Sequence, residues 1–587
     1  MHQIIELNPV RVAEKKGISL HQSSHSGATN RTGLLIAAIV FLTARFVWEI
    51  ADPITPDQFK GFIYLRDFIL LLPASLTMLL FLSSNNQLRL RRQFDSALHA
   101  FCSRPKLWTA VFGILTFAGC LVINKFVLQS CAHIGDEANY LFTAKIFASG
   151  RLYASLPPVD SAFFETGGLV FDKNRVFGIF FPGQSVLFAL GQLVHMPSVV
   201  NPLLAGVLTI IIVWAGRQLY DIQTGIIAGI LSMVSPFLLF QGASYFSHLL
   251  PAVCITLVIT WALKHRTVST VFFSGVLCGV VLLFRPLSAA ITVIFTGIFI
   301  GIKIIENRKQ VARTLLVYGG FFAAGFLPFC LVFLMYNNAL TGSFLITPHQ
   351  YALPRQKIIF GMHSLLNTFV NCTGLACDLT GVPVISLLLL PVFFFSGSPH
   401  SKALFVFIAS YIIGYSAYPY HGLSYGPRFY FELLPFLLVI CSRMSVDENR
   451  SPDADRHNRL PFMPRISPFV LAGTTIVISL FGALPARMAV FGKRGAILNI
   501  EKKIAGVVKT PAVVFIRNSN RDKDRLSPFF AGLQLNTPDF NGEVVYANYL
   551  PDKIGEFEKV YANRHMYVVD IETAPLQIDT LPRLPEE

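Results

Sequence analysis

Residues 199–216 read VVNPLLAGVLTIIIVWAG and contain no charged side chain. Eighteen residues come close to the ~20 that an α-helix needs to cross the hydrocarbon core of a bilayer. A run this long and this apolar predicts a transmembrane helix. The rest of the chain is interpreted outward from it.

Composition places the whole chain in the same class. Hydrophobic residues make up 53% of the 587 residues, charged residues only 14%, and the mean hydropathy is +0.56. A soluble domain carries about a quarter charged residues. Apolar runs of about 16 to 24 residues recur along most of the chain, near the length that crosses a bilayer. They predict thirteen transmembrane helices, at roughly 33–51, 61–82, 107–129, 199–216, 224–243, 246–264, 270–285, 286–304, 314–337, 384–397, 403–420, 429–444 and 469–488.

The distribution of positive charge predicts the orientation. The net charge is +15, and the connections rich in Lys and Arg alternate along the chain. These basic connections all lie on one side of the membrane if 270–304 is a hairpin of two short helices. The positive-inside rule makes that side the cytoplasmic one. The surplus charge is therefore a topology signal, which argues against a nucleic-acid partner. The basic residues concerned are Arg11, Lys15, Lys16, Arg89, Arg91, Arg92, Arg217, Lys264, Arg266, Arg308, Lys309, Arg313, Lys402 and those from Arg443 to Arg465.

The predicted fold is an all-α polytopic membrane protein of about 13 transmembrane helices with a small C-terminal extracytoplasmic α/β domain. The α/β prediction comes from short apolar runs in the tail, such as 512–516 and 544–546, separated by turn residues. The predicted divisions are a disordered cytoplasmic N-terminus at 1–32, two extra helices at 33–106, a membrane core at 107–490 with outer loops 130–198 and 338–383, and the outer domain at 491–587.

Two adjacent carboxylates open the first outer loop. Residues 133–140 read HIGDEANY, a few residues beyond a predicted span. At such a boundary one carboxylate can take a proton from an acceptor hydroxyl, and its neighbour can orient a sugar or hold a divalent metal. Asp136 and Glu137 are therefore candidate catalytic residues, with Glu137 the candidate metal ligand. The alternative is that Asp136 caps a helix and Glu137 interacts with its dipole.

Other polar residues fall at the outer ends of predicted spans. A short apolar helix opens at Phe181-Pro182-Gly183-Gln184 and suits the membrane interface. Arg285 and Arg428, if they face one outer cavity, suit the binding of a phosphate. The alternative for Arg428 is an interfacial anchor among aromatic residues. Cys372 and Cys377 face outward and are close enough in sequence to bridge. The candidate substrate-binding residues at these ends are His248, Arg285, His421, Tyr425 and Arg428.

The order of these motifs over roughly 107–445 resembles the GT-C superfamily of glycosyltransferases that use polyprenyl-phosphate sugars. This group includes bacterial family 39, the aminoarabinose and galacturonic acid transferases, and the protein O-mannosyltransferases. The resemblance implies that Asp136 is the catalytic carboxylate, with Glu137 as partner, and adds Tyr336 to the substrate-binding residues. Two extra spans, the lack of a second Asp-Glu pair and the lack of a Trp-Trp-Asp signature depart from family patterns. The matching motifs are Gly135-Asp136-Glu137, Phe181-Pro182-Gly183, Leu219-Tyr220 to Gly225, Phe284-Arg285-Pro286, Tyr336 to Gly342, and Gly426 to Tyr430.

The expected function is transfer of a monosaccharide from a polyprenyl-phosphate donor to an envelope lipid, glycan or protein, on the outer face of a bacterial cytoplasmic membrane. Nucleotide sugars are not expected there, and the sequence has no Gly-rich nucleotide fingerprint. No cofactor is certain, although a divalent metal fits the chemistry. The rival class is a transporter or flippase of lipid-linked sugars, which predicts repeats and paired buried charges. The sequence shows no repeat and little charge within spans.

This mechanism has a geometric consequence. We expect Asp136, Glu137, His248, Arg285, His421 and Arg428 to line one cavity that opens sideways between helices. Asp136 should lie within about 15 Å of at least one of the two arginines, because both groups must reach one bound substrate.

Overall fold

A computed structural model describes residues 23–51, 60–84, 87–265, 267–306, 311–356, 358–383, 399–446, 466–517, 530–570 and 577–580. Helices dominate the part of the chain up to residue 504. Strands occur in the first outer loop and in the tail. The all-α membrane part and the small C-terminal α/β region agree with the predicted fold class.

Four helices precede the first outer loop. Three of them lie at predicted spans, but the first begins at Ser23, so residues 23–32, which were predicted to be disordered, are helical. The third helix lies in the connection between the second and third predicted spans and was not predicted by the apolar runs. They are α1 (Ser23–Ala51), α2 (Lys60–Leu82), α3 (Leu88–Ser103) and α4 (Pro105–Val122), the last continued by a π-helical turn at Ile123–Val127.

Twelve more helices run from the first outer loop to the end of the second. The predicted hairpin is present, with Arg285 between its two helices. The helices are α5 (Gly135–Ala148), α6 (Pro182–Leu193), α7 (Pro197–Leu219), α8 (Ile222–Val234), α9 (Pro236–Ala243), α10 (Leu249–Lys264), α11 (Val268–Phe284), α12 (Pro286–Glu306), α13 (Val311–Thr314), α14 (Gly320–Thr341), α15 (Pro348–Ala352) and α16 (Met362–Asp378). Helices at Pro399–Ser416, Leu434–Val446, Pro468–Ile478 and Leu484–Leu498 follow.

Six helices in the described part of the chain are long and apolar enough to span a membrane, or seven if the bent pair α8 and α9 is one span. That pair bends by 59°. Thirteen spans are therefore not confirmed, partly because α10 and α11 are short and partly because the predicted helix at 384–397 lies outside the described residues. The six are Tyr64–Leu82, Pro105–Val127, Pro197–Leu219, Val311–Thr341, Arg428–Val446 and Pro468–Leu498.

Two small sheets lie outside the helical core. Within the first outer loop, β1 (Ala154–Ser155), β2 (Leu169–Asp172) and β3 (Arg175–Gly178) form an antiparallel sheet in the order β1-β3-β2. In the tail, β4 (Ala512–Arg517), β5 (Val544–Asn548), β6 (His565–Asp570) and β7 (Gln577–Thr580) form a sheet in the order β5-β4-β6-β7. Strands β5, β4 and β6 are parallel, and β7 is antiparallel to β6.

The tail sheet packs directly against the first outer loop. Phe142 of α5 stacks on Phe540 with ring centroids 5.6 Å apart, and both rings are buried. The ammonium of Lys145 donates to the carbonyl oxygen of Asn536 at 3.0 Å. The backbone N–H of Ala132 donates to Gln534 at 2.9 Å. The helix that begins the first outer loop is therefore held between the membrane core and the tail.

Two buried ion pairs lie among the helices. Arg45 of α1 pairs with Asp67 of α2 at 3.0 Å, and both side chains are buried. Arg487 pairs with Asp378 of α16, again with both side chains buried. Arg45, Asp67 and Arg487 lie within predicted spans, so paired buried charges, which the transporter alternative predicts, are present. Within each pair the two opposite charges compensate each other, and this compensation makes their burial in a membrane tolerable.

Candidate active site

Asp136 lies at the start of α5 and forms an ion pair across the molecule. The helix begins at Gly135, its N-cap is Ile134, and no side chain caps it. Asp136 instead accepts a hydrogen bond from Nη1 of Arg428 at 2.7 Å, between residues 292 positions apart in sequence. The side chain of Asp136 remains 30% exposed. The interpretation of Asp136 as a helix cap is therefore wrong, and its distance from Arg428 is well inside the expected 15 Å.

Arg428 is held by a turn and by aromatic rings. The turn contains Gly426 at φ +117°, a conformation that a side chain would strain. The guanidinium carbon of Arg428 lies 4.4 Å from the ring centroid of Phe246. Arg428 is buried, and its Nε has no hydrogen-bond partner among the described residues. Arg428 thus lies among aromatic rings, as its interpretation as an anchor also expects, and the unused Nε–H is a donor available to a ligand.

Glu137 points away from Asp136 into protein. Its Oε2 accepts from the backbone N–H of His133 at 2.9 Å and from the hydroxyl of Tyr425 at 3.3 Å. Its Oε1 accepts from the backbone N–H of Tyr245 at 2.9 Å. Burial raises the pKa of Glu137 to about 7. Glu137 thus joins three chain segments, and within the described residues no group of three His, Cys, Asp or Glu side chains is arranged to hold a metal.

A second cluster of charged side chains surrounds Arg285. Nε of Arg285 lies 2.9 Å from Oε1 of Glu432, and its Nη2 donates to the hydroxyl of Tyr415 at 3.0 Å. His248 Nδ1 lies 3.3 Å from the same Glu432 oxygen. The other oxygen, Oε2, is buried and has no hydrogen-bond partner in the part of the chain that the structure describes. Arg285, one of the two arginines expected to bind a phosphate, is thus paired with a carboxylate of this chain.

The two clusters are adjacent. The guanidinium carbons of Arg285 and Arg428 lie 5.5 Å and 5.4 Å from the ring centroid of one residue, Phe429. Tyr140 of α5 is close enough to both arginines and to Asp136 for their charges to affect its pKa, which burial raises to about 12. Side chains from α5, from the hairpin tip and from the turn before Leu434 therefore converge, as the mechanism requires.

The other predicted site residues occupy different surroundings. His421 Nδ1 accepts from the backbone N–H of Leu423 at 3.0 Å, so this nitrogen stabilises the outer turn. The hydroxyl of Tyr425 is engaged by Glu137. Tyr336 packs with Phe177 and Leu340 in a separate small cluster, and its hydroxyl donates to the carbonyl oxygen of Phe180 at 3.4 Å. Tyr336 therefore shapes the first outer loop, and its contacts are with that loop.

Several residues of the site were not predicted from sequence. Glu432 follows Arg428 by four residues inside an apolar helix, and an intramembrane carboxylate is a signal that could have identified it. The ring of Tyr418 lies 5.0 Å from that of Phe429, between ring centroids. His349 is near enough to Asp136 for its charge to affect the pKa of His349, which burial lowers. His349 comes from the second outer loop, so both outer loops reach the site. No sequence pattern distinguished it from other surface histidines.

Comparisons with known proteins give structural similarity alone. No family model matches the sequence, and no curated protein matches it. The structure of ArnT from Cupriavidus metallidurans bound to undecaprenyl phosphate is similar over 79% of this chain and 92% of that chain, with 11% identity and a TM-score of 0.48. An Archaeoglobus fulgidus oligosaccharyltransferase in complex with zinc and sulfate is similar over 78% of this chain and 67% of that chain, with 10% identity and a TM-score of 0.40.

Proposed function

We propose that this chain is a membrane glycosyltransferase that moves a monosaccharide from a polyprenyl-phosphate donor to an envelope lipid, glycan or protein on the outer face of the membrane. The observation that carries the proposal is the 2.7 Å contact between Asp136 and Arg428 beside the Arg285 cluster. A partly exposed carboxylate next to two buried arginines fits a reaction in which a hydroxyl loses a proton and a phosphate leaves.

Asp136 is the proposed base. Its exposed oxygen takes the proton of the acceptor hydroxyl, and the acceptor oxygen attacks the anomeric carbon of the sugar. The bond between that carbon and the phosphate oxygen breaks, and its electron pair leaves with the polyprenyl phosphate. Arg428 orients Asp136 through the hydrogen bond between its Nη1 and the carboxylate.

The two arginines are the proposed phosphate site. In the absence of lipid each is paired with a carboxylate, which compensates its burial. The phosphodiester anion of a donor can then share guanidinium donors such as the unused Nε–H of Arg428. Positive charge fixed near the leaving oxygen stabilises the charge that develops there.

Glu137 and His248 are proposed to position other groups rather than to touch the reacting atoms. Glu137 fixes the start of α5 through three hydrogen bonds, and so fixes the neighbouring Asp136. His248 holds one oxygen of Glu432 and thereby orients the partner of Arg285. Substrate reaches Asp136, Arg285 and Arg428.

A transporter of lipid-linked sugars is the second candidate. The buried pairs Arg45–Asp67 and Asp378–Arg487 favour it, because paired charges within spans are typical of transport proteins. Purified protein incubated with a polyprenyl-phosphate monosaccharide and envelope extract separates the classes. A transferase releases polyprenyl phosphate and labels an acceptor. A transporter leaves the donor intact and moves it to the other leaflet. An assembly protein leaves both the donor and its leaflet unchanged. Intact donor after prolonged incubation with extract would overturn the transferase proposal.

A further inference from the structure

Helix α3 connects two candidate spans at one surface of the membrane. The span Tyr64–Leu82 ends just before it, and the span Pro105–Val127 begins two residues after it. The second span is 23 residues long, which corresponds to about 34 Å of helix and so to the thickness of a bilayer. Its far end leads into the loop that carries Asp136. Helix α3 therefore lies at the opposite membrane surface from the candidate active site.

One side of α3 packs on the protein. The ring of Phe94 lies 5.9 Å from that of Phe469, and the ring of Phe101 lies 4.2 Å from that of Trp108. Leu98 between them is buried. The helix is thus fixed against the core in the plane of the surface, and its opposite side faces outward.

The exposed start of α3 combines arginines with leucines. Arg89, Arg91 and Arg92 are exposed, and Leu88 and Leu90 beside them are 55% and 49% exposed. Exposed leucines next to cations suit the boundary between headgroups and acyl chains, where the apolar part inserts and the charge stays at the phosphate level. A purely soluble anionic partner would leave these leucines in water.

Positive charge at this end extends beyond the three arginines. Arg104 and Lys106 are exposed at the end of α3, and Asp95 is the only acidic residue between Leu88 and Lys106. Arg217 and Lys264 are exposed where α7 and α10 end, and α8, which follows α7, packs against α3. The nearby Asp221 is paired with Arg443 at 2.8 Å. The surface therefore attracts anions with little opposing charge.

We propose that the exposed start of α3, Leu88 to Arg92, binds the anionic phospholipid headgroups of the adjacent leaflet. The arginines contact the phosphates, and Leu88 and Leu90 enter the acyl boundary. A basic amphipathic helix at the headgroup level gains attraction from each cation near the anionic surface. The binding fixes the start of the span that leads to Asp136, and it does not depend on the reaction proposed above.

The test measures lipid binding to the full-length protein. Protein in a neutral detergent is titrated with phosphatidylglycerol and with phosphatidylcholine of the same acyl chains, and native mass spectrometry reports the bound lipids. We expect a preference for phosphatidylglycerol that weakens as salt is raised. Arg89→Gln/Arg91→Gln/Arg92→Gln should lower the affinity for phosphatidylglycerol by about tenfold or more, because each cation contributes to this attraction.

Two further variants make the test decisive. Lys502→Gln/Lys509→Gln/Lys559→Gln removes the same charge from exposed positions of the C-terminal region and should bind phosphatidylglycerol as the natural protein does. Arg89→Lys/Arg91→Lys/Arg92→Lys keeps the charge and should also keep the binding. Equal losses in the two glutamine variants, equal affinity of the natural protein for both lipids, or displacement of phosphatidylglycerol by a soluble oligonucleotide would overturn the proposal.

Discussion

Asp136 and Glu137 are neighbours in sequence with opposite surroundings. Asp136 is partly exposed and accepts a hydrogen bond from one buried arginine. Glu137 is fully buried and accepts hydrogen bonds from three donors of the protein. Helical geometry explains the difference, because successive side chains on a helix point about 100° apart. One carboxylate is thus free to meet a substrate, and the other organises the loop.

The surroundings of Glu137 predict a pH-dependent stability. Its pKa is raised by burial from an ordinary 4.5 to about 7. A carboxyl with a raised pKa in the folded chain contributes stability that is complete below pH 4.5 and is lost as the pH rises through 7. Glu137→Gln removes this contribution, so we expect the melting temperature in detergent to fall further below that of the natural protein at pH 5 than at pH 8. His133, whose pKa burial lowers to about 3, is present in both proteins. A difference in melting temperature between the two proteins that does not change with pH would contradict the raised pKa of Glu137.

The geometry of Arg428 predicts that charge alone is insufficient at this position. Its planar guanidinium stacks on Phe246 and bonds Asp136 at the same time, and a lysine ammonium cannot reproduce both contacts. For Arg428→Lys we expect the KM for the lipid donor to rise by about tenfold, in line with the energy of a buried cation–π contact. This KM is measured from the rate at which polyprenyl phosphate is released at increasing donor concentrations. Arg151→Lys, in an exposed ion pair with Asp539, serves as control, and equal kinetics for both variants would count against the phosphate site.

At this scale the sequence pointed to Asp136 and Arg428 as candidates. They were chosen for the chemistry that a carboxylate and an arginine at span ends can perform and for the resemblance of their motifs to those of a known family. Their pairing across the chain could not be predicted, since it depends on how α5 and the turn at Gly426 pack. Glu432 was missed because it lies within an apolar run that was interpreted only as a span. A single charge in such a run is informative about function, although it hardly changes the hydropathy.

Among the elements, α5 links the candidate active site to the tail. Its first turn carries Asp136, and its later turns carry Phe142 and Lys145, which contact the tail. The tail therefore braces the loop that carries Asp136, and we expect tail substitutions to influence the Asp136–Arg428 pair without touching it.

Phe540 tests this bracing. Its buried ring lies 5.6 Å from Phe142 and 4.3 Å from Phe164 of the first outer loop. Phe540→Ala should lower the free energy of unfolding of the tail by about 3–5 kcal/mol, as for large-to-small substitutions in a core. Limited proteolysis should then release the tail. The adjacent control Asp539→Asn removes only an exposed ion pair, worth about 0–1 kcal/mol, and equal protease sensitivity of the two variants would show that the contact does not hold the tail.

Prediction succeeded for elements with a single dominant pattern. Runs of apolar residues identified α2 and α7 within a few residues, and a short apolar run identified the strand β4. Helices α3 and α16 were missed because each is apolar on only one side and carries polar residues between the apolar ones. Such helices lie along a surface, and a search for uninterrupted apolar length passes over them.

For the molecule as a whole, the two membrane surfaces have different characters. One carries the Asp136–Arg428 pair, both outer loops and the tail, and the other carries the exposed arginines of α3. Positive charge concentrates at cytoplasmic surfaces, which leads us to propose that the site and the C-terminus are extracytoplasmic. The number of spans stays a prediction, since hydropathy and length support six or seven among the described residues.

Cysteine labelling in intact cells tests this orientation. Asn371 is only 3% exposed and unsuitable, whereas the neighbouring native Cys372 is exposed. With the other cysteines replaced, Cys372 should react with an impermeant thiol reagent, and so should a cysteine introduced by Asn541→Cys. One introduced by Ser96→Cys, on the exposed side of α3, should react only after the cells are opened. If only the Ser96→Cys protein were labelled in intact cells, the orientation in the membrane would be the reverse of the one proposed. Ser451, in the predicted cytoplasmic connection, lies outside the described residues.

The most direct test of the central claim is sugar transfer by the purified protein from a labelled polyprenyl-phosphate monosaccharide. We predict that the natural protein releases polyprenyl phosphate and passes the label to an envelope acceptor. Asp136→Asn should slow this release by about 100-fold or more, as expected for loss of a general base. Its melting temperature should stay close to that of the natural protein, because the asparagine oxygen can still accept from Arg428. Release by Asp136→Asn at the natural rate, from a correctly folded protein, would contradict the account.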